Sequence, residues 1–328
     1  MTQTEPARGL QAASSRYGVR GKRRFARPRA PRVVKAAAVD FKEESTSDDA
    51  IAAVVASCRE HWRINLPAAL DGRDPEGVHQ VRVGFRRFRS ALSLFRKLIP
   101  ENQRAWLNTE AKWLASQLGQ VRDLDVFLAD LATRTGKNDE GAAALARAVG
   151  EIHAKARSAA AAALRGARLR RLNNRIETWL DGRGWYAGGV ESPDINRFAR
   201  TVLNKRLRKI GEIAARADAL TVPERHELRI AVKKLRYGIE FLRPALPEKR
   251  AQRTANILKR LQDSLGHLND LAVAERTIAL ALADATPRER RLIKKAGDDL
   301  KAAHRKAAAK AEPETERLCG KLVKLPPF

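Results

Sequence analysis

Two stretches of this chain repeat each other at a spacing of 147 residues, and no other feature constrains the fold as strongly. Residues 78–100 read VHQVRVGFRRFRSALSLFRKLIP, and residues 225–247 read RHELRIAVKKLRYGIEFLRPALP. At this shift His79 falls on His226, Arg82 on Arg229, Arg89 on Arg236, Arg96 on Arg243 and Pro100 on Pro247. Arg86 and Arg87 fall on Lys233 and Lys234. The same shift carries Leu118-Gly119-Gln120-Val121-Arg122-Asp123-Leu124 onto Leu265-Gly266-His267-Leu268-Asn269-Asp270-Leu271, with no insertion between the two blocks. Two copies of one basic unit imply a pseudo-two-fold molecule in which matching basic faces meet and concentrate positive charge.

Each repeated stretch has the periodicity of an amphipathic helix. Val81, Phe85, Phe88, Leu92, Phe95 and Ile99 recur at alternating steps of four and three and so form one apolar stripe. His79, Arg82, Arg86, Arg89 and Arg96 form a second stripe, offset by two residues, or about 200° around an ideal helix. The core face and the basic face are therefore opposed. In the second copy the apolar stripe is Leu228, Val232, Leu235, Ile239, Leu242 and Leu246, and the basic stripe is His226, Arg229, Lys233, Arg236 and Arg243. A solvated helix face normally mixes Glu among its cations to form pairs four residues apart. The first basic stripe contains no acid and the second only Glu240. Like charges at that spacing oppose helix formation, which makes a ligand-binding face the better reading.

The remainder of the chain from about residue 48 reads as helix, because Ala, Leu, Arg, Lys and Glu dominate and no alternating Val/Ile/Thr run suggests a sheet. Asp74-Pro75-Glu76 and Ser192-Pro193-Asp194 are helix starts. Thr221 with Glu224, and Thr286 with Glu289, have capping-box spacing. Pro100 and Pro247 close the repeated helices. The expected helices span 49–70, 75–98, 102–133 and 139–168, then 194–217, 222–245, 248–284 and 287–311. The fold class is thus all-α, an internally duplicated pair of four-helix units with pseudo-two-fold symmetry. Repeat 1 covers about 48–170 and repeat 2 about 192–311. Between them, about 171–191, lie a short helix from Arg175 to Leu180 and a Gly-rich turn from Gly182 to Gly189. Residues 1–47, rich in Arg and Pro, are expected to form a disordered basic arm, and 312–328 a C-terminal tail.

Charge narrows the partner. Sixty-five Lys plus Arg stand against 38 Asp plus Glu, a formal net charge of +27. Such self-repulsion makes sense with a polyanion: nucleic acid, an anionic membrane or polyphosphate. Cys58 and Cys319 are the only cysteines, too few for a disulfide framework and fitting a reducing cytoplasm. No run of 18 apolar residues suggests a membrane span. Arg23-Arg24-Phe25 lacks the apolar run of an export signal, so none is read.

Signs of catalysis are weak. Paired Asp123 and Asp270 are better suited to orienting neighbouring arginines than to acid–base work. No Walker loop, Ser-His-Asp set or acidic metal cluster accompanies them, and the expectation is a binding protein without cofactor. A His79–His226 bridge could hold a metal, but Glu76, Glu224 and Glu227 lie at unmatched spacing and anion binding ranks higher.

At the motif helices the chain resembles the CHAD (conserved histidine α-helical domain) family. VHQVRVGFRRFRSALSLF (78–95) is similar to its first signature, HELRIAVKKLRYGIEFL (226–242) to its second, and LGQVRDLDV (118–126) to its Arg-Asp-x-Asp-Val element. The resemblance covers residues 48 to about 311. It implies two four-helix units around a basic central cavity, binding of inorganic polyphosphate and, in bacteria, association with polyphosphate granules. A stand-alone module is expected. The second element departs from the pattern, with Asn269 at the counterpart of Arg122 and Ala272 at that of Asp125. The expected polyphosphate ligands are His79, Arg82, Arg86 and Arg89 with His226, Arg229, Lys233 and Arg236. Lys112, Lys259 and Arg122 join them from the third helices, and Arg59 and Arg206 are weaker candidates from the first helices. Arg96 and Arg243 suit helix C-terminal capping. A general polyanion or nucleic-acid-binding protein is the alternative, although aromatic content is only 5% and single-strand readers use aromatic platforms. A His-dependent metal-binding protein is the third reading.

Overall fold

The computed structural model describes residues 29–42, 44–136, 138–185 and 192–328. Among these, all regular structure is helical, in ten α-helices: α1 Ser47–Asp71, α2 Pro75–Leu94, α3 Glu101–Arg134, α4 Glu140–Arg165, α5 Ala167–Asp181, α6 Ile195–Ala214, α7 Val222–Phe241, α8 Glu248–Ser264, α9 Gly266–Ala283 and α10 Pro287–Val323.

Local chemistry sets the starts. The Asp74 carboxylate accepts from the Glu76 backbone N–H with Pro75 at the first helical position. Thr221 and Thr286 each build a full capping box, with Glu224 and Glu289. The starts of α2 and α7, of α3 and α8, and of α4 and α10 are each 147 residues apart. The N-termini of α1 and α6 touch: Ser47 N–H donates to Pro193 O at 3.0 Å, and the hydroxyls of Ser47 and Ser192 share a 2.8 Å hydrogen bond.

Four expectations are corrected. The helix anticipated at 248–284 is broken at Leu265 into α8 and α9, whereas its counterpart α3 runs unbroken. The last helix continues to Val323, well past residue 311 and into the anticipated tail. The short helix expected at 175–180 is the longer α5, and Trp179 on it donates to Gln103 Oε1 on α3 at 2.6 Å. The basic arm divides. Residues 1–28 lie outside the described residues, but 29–42 run without regular structure against the helices. There Asn65 pairs with the Val34 backbone through two 2.9 Å hydrogen bonds, and Val39 is buried.

The apolar stripes become core. Val81, Phe85, Phe88, Leu92, Phe95 and Ile99 are all buried, as are Leu228, Val232, Leu235, Ile239, Leu242 and Leu246. Gly77 and Gly238 let helices approach closely. A Cβ on Gly77 would meet the Ala68 backbone of α1 at 2.6 Å, and one on Gly238 would meet Leu203 of α6 at 2.7 Å. The main core draws on both halves of the chain. A second, smaller core joins Leu124, Phe127 and Leu145 from the first half to Ile278, Ile293 and Leu300 from the second. The two halves therefore share their burial, and neither closes a core alone.

Candidate anion-binding site

With their apolar stripes in the core, α2 and α7 hold Arg82, Arg86, Arg229, Lys233 and Arg236 of their basic stripes partly buried. Arg86 donates from Nε to the Tyr237 hydroxyl at 2.7 Å, joining the first half to the second. The guanidiniums of Arg86 and Arg236 also lie over the Tyr237 ring, at 5.7 and 5.1 Å from its centroid. Next to them Arg87 is buried. It donates to Glu240 Oε1 at 3.0 Å and lies over the Phe241 ring. This explains the single acid in the second stripe: Glu240 neutralises a cation of the other half.

Around Tyr237 the chain gathers charge from α2, α3, α7 and α9. Lys233 is partly buried, and that burial, with Arg229, Arg86, Arg82 and Arg236 around it, lowers its pKa from 10.5 to about 7. The imidazole of His79 is held below its ordinary value, first by burial and then by Arg122, Arg86 and Arg82, with Glu76 opposing. Its Nδ1 is buried without a hydrogen-bond partner, and so is Nε of Arg229. Burial lowers the pKa of both Arg82 and Arg229. Asp123 sits among Arg82, Arg276, Arg122 and Arg229, yet burial still raises its pKa. Arg229 donates to Asn269 Oδ1 at 3.3 Å and feels the charge of Asp270. The Arg82 guanidinium lies beside Gly119 of α3, with Nε 3.5 Å from where a Cβ would be.

His79, Arg82, Arg86, Arg122, Arg229, Lys233 and Arg236 thus come together. Arg89 lies at the edge and donates to Asn108 Oδ1 at 3.1 Å. Arg236 also donates to Gln262 at 3.2 Å and, with Arg243 and the exposed Lys259, lines a pocket of about 260 Å³ partly walled by Ala38 and Val39. Lys112 is exposed on α3, and His226 is exposed where His79 is partly buried. Two candidates lie elsewhere. Arg59 pairs with Glu177 of α5 at 3.2 Å. Arg206 donates to Lys234 O at 2.7 Å and lines a separate groove near Arg96. Arg243, expected to cap a helix dipole, instead pairs with Glu248.

Sequence reasoning passed over Tyr237 as a positioning residue, and Arg276 entirely. The available signal for Tyr237 was its place between Arg236 and Gly238 in the second motif; Arg276 gave none. Among the described residues, no three His, Cys, Asp or Glu side chains gather in a way that could hold a metal. His153 pairs instead with Asp125 at 2.7 Å and His304 with Asp130 at 3.2 Å. No helix among the described residues is long and apolar enough to cross a membrane.

Fold and site together define an all-helical protein with a cationic cluster assembled from both halves of its chain. The sequence model of the CHAD domain matches residues 53–279, and the chain belongs to the CHAD domain family, which is associated with polyphosphate binding. Among solved structures, the CHAD domain from the plant Ricinus communis is 30% identical, with a TM-score of 0.77 over 88% of this chain and 96% of that one. PptA from Streptomyces chartreusis shares the fold at 18% identity, with a TM-score of 0.58 over 84% of this chain and 99% of that one. No curated protein matches the chain significantly.

Proposed function

We propose that this protein binds inorganic polyphosphate at the α2/α7 face and is a binding module rather than a catalyst. One observation carries the reading. Five cations, Arg82, Arg86, Arg229, Lys233 and Arg236, stand together in partly buried surroundings, and burial first, then the four neighbouring guanidiniums, depress the Lys233 ammonium to about 7. Such crowding disfavours the unliganded protein, and an anion of repeating charge relieves it. Arg presents planar paired donors to non-bridging phosphate oxygens, while Lys acts as a point charge. The membership of the chain in a family associated with polyphosphate supports the same choice of anion.

Duplication of a four-helix unit, with a central basic cavity between the copies, is part of the proposal. It is supported by the 147-residue spacing of three pairs of helix starts. Residence in the cytoplasm at polyphosphate granules is the matching location.

The test is calorimetric titration of the full chain with polyphosphate of defined length, beside double-stranded DNA of equal charge. The full chain is needed because residues 34 and 39 pack on the helices. Saturable polyphosphate binding that weakens steeply with salt, with weak DNA binding, is the expected result. Equal affinity for both polymers would replace the reading with a general polyanion surface.

A further inference from the structure

Lys233 and Lys234 are neighbours in sequence but face different company. Lys233 lies with Arg229, Arg86, Arg82 and Arg236, whereas the charges nearest Lys234 are Arg206, Lys209, Arg89 and Arg96. Beside Lys234, the end of α2, the outer face of α6 and α7 enclose a groove of about 600 Å³. That volume lies in the range of small-molecule sites.

The groove has two chemically distinct parts. Leu94, Phe198 and Val202 give it an apolar wall, and Phe198 is held in place by stacking on Phe95 at 5.4 Å with the rings 9° apart. Its rim carries seven cations, including Arg96, Lys97, Lys205, Arg206 and Lys234, against the single carboxylate of Glu212. Among the described residues, only Lys209 has an acidic partner from beyond the rim, Glu227 at 2.8 Å. Arg206 is held by the Lys234 carbonyl, and burial beside Arg96 lowers its pKa to about 10. Ser93 adds a hydroxyl, whereas the Thr201 hydroxyl already donates to the Arg197 carbonyl at 2.8 Å.

We infer that this groove is a second anion site, separate from the α2/α7 cluster, for an organic oligophosphate: a small molecule with several phosphate charges and a flat apolar group, of which a nucleoside triphosphate is the type. Inorganic phosphate chains satisfy the cations but leave the partly exposed Phe198 and Val202 uncovered. A base or similar ring covers that wall while its phosphates reach the rim. The inference stands independently of polyphosphate binding at the central cluster.

The experiment titrates the full chain with ATP, with inorganic triphosphate and with adenosine, and repeats the ATP titration in the presence of saturating long-chain polyphosphate. ATP is expected to bind about tenfold tighter than inorganic triphosphate, a difference of about 1.4 kcal/mol from ring burial. Saturating polyphosphate should leave a site that ATP still fills. Exchange of the exposed rim lysines, Lys97→Glu with Lys205→Glu, should weaken ATP about tenfold or more and leave polyphosphate affinity within twofold. Three results would overturn the inference: no ATP binding at millimolar concentration, equal affinity for ATP and inorganic triphosphate, or full displacement of ATP by polyphosphate with the double variant unaffected. Loss of polyphosphate binding alone would leave it standing.

Discussion

The two copies of the motif helix keep the same core and part company at their polar residues. Both apolar stripes are buried throughout. His79, however, is partly buried with an unpartnered Nδ1, while His226 is exposed. Arg122 adds a cation beside His79 and Arg82; its counterpart Asn269 adds none and instead accepts a hydrogen bond from Arg229. α3 is one unbroken helix of 34 residues, whereas the matching segment breaks at Leu265. Packing punishes change in a core stripe at once, because a buried methylene is felt. A cationic face tolerates drift as long as the summed field remains. The first half thus supplies the unbroken third helix with Arg122 and the partly buried His79, and the second supplies Lys233 and the Tyr237 platform.

That division can be broken in four ways. The largest effect is expected from reversing one guanidinium on each side, Arg82→Glu with Arg229→Glu. Polyphosphate affinity should fall by about 100-fold or more, since two charge-assisted contacts of about 1.5–3 kcal/mol each are lost, and the slope of log affinity against log salt should flatten. A loss below tenfold in titration would place the anion elsewhere.

Lys233→Met comes next, with opposite effects on binding and stability. The lysine is disfavoured in its charged form in the folded protein, so it opposes stability fully below about pH 7, and this penalty disappears as pH rises through the ordinary lysine value of 10.5. At pH 6 the variant should therefore melt higher, by about 2–4 °C if about 1 kcal/mol is recovered, and bind polyphosphate about fivefold more weakly. In the parent protein a bound anion raises the Lys233 pKa, so binding at pH 8 takes up about one proton. Calorimetry in buffers of differing ionisation heat should show that uptake vanish in the variant.

A third comparison makes the first half resemble the second. Arg122→Asn removes one cation, and affinity should drop about threefold to tenfold at low salt. The reciprocal Asn269→Arg should gain less, because Arg229 loses its Oδ1 acceptor. If the two changes are equal and opposite, the halves are interchangeable and the asymmetry has no functional weight.

The smallest effect concerns the histidines. An anion raises the His79 pKa from its depressed value, so binding tightens as pH falls through the histidine range. His79→Gln should remove that part of the pH profile, and His226→Gln should leave it in place. The opposite result would assign the titration to the exposed ring.

Helix starts and core stripes were readable from sequence because each depends on residues within a few positions: Asp74 with Glu76, Thr221 with Glu224, and apolar steps of three and four. Periodicity gives an angle on its own helix but does not say which neighbour lies at that angle. For this reason Arg59 and Arg206, matched across the repeat, end against Glu177 and in the outer groove instead of in the cluster. Arg87 was read as one more basic residue, yet it is buried against Glu240, a partner 153 residues away. The break at Leu265 was equally hidden, since Leu118-Gly119 in the matching position continues as helix. The importance of Tyr237 comes from Arg86 on another helix, which its own place in the motif does not reveal.

The Arg87–Glu240 pair has a consequence for how such a chain can be divided. Its guanidinium belongs to the first half, its carboxylate to the second, and the guanidinium is almost fully enclosed. Cutting the chain between the halves would leave a buried cation without its counter-ion, at a cost of several kcal/mol. A fragment holding one motif helix would not behave as a weaker binder with half the sites. It would be a poorly folded polypeptide, and recombination between relatives should succeed only when the two residues travel together.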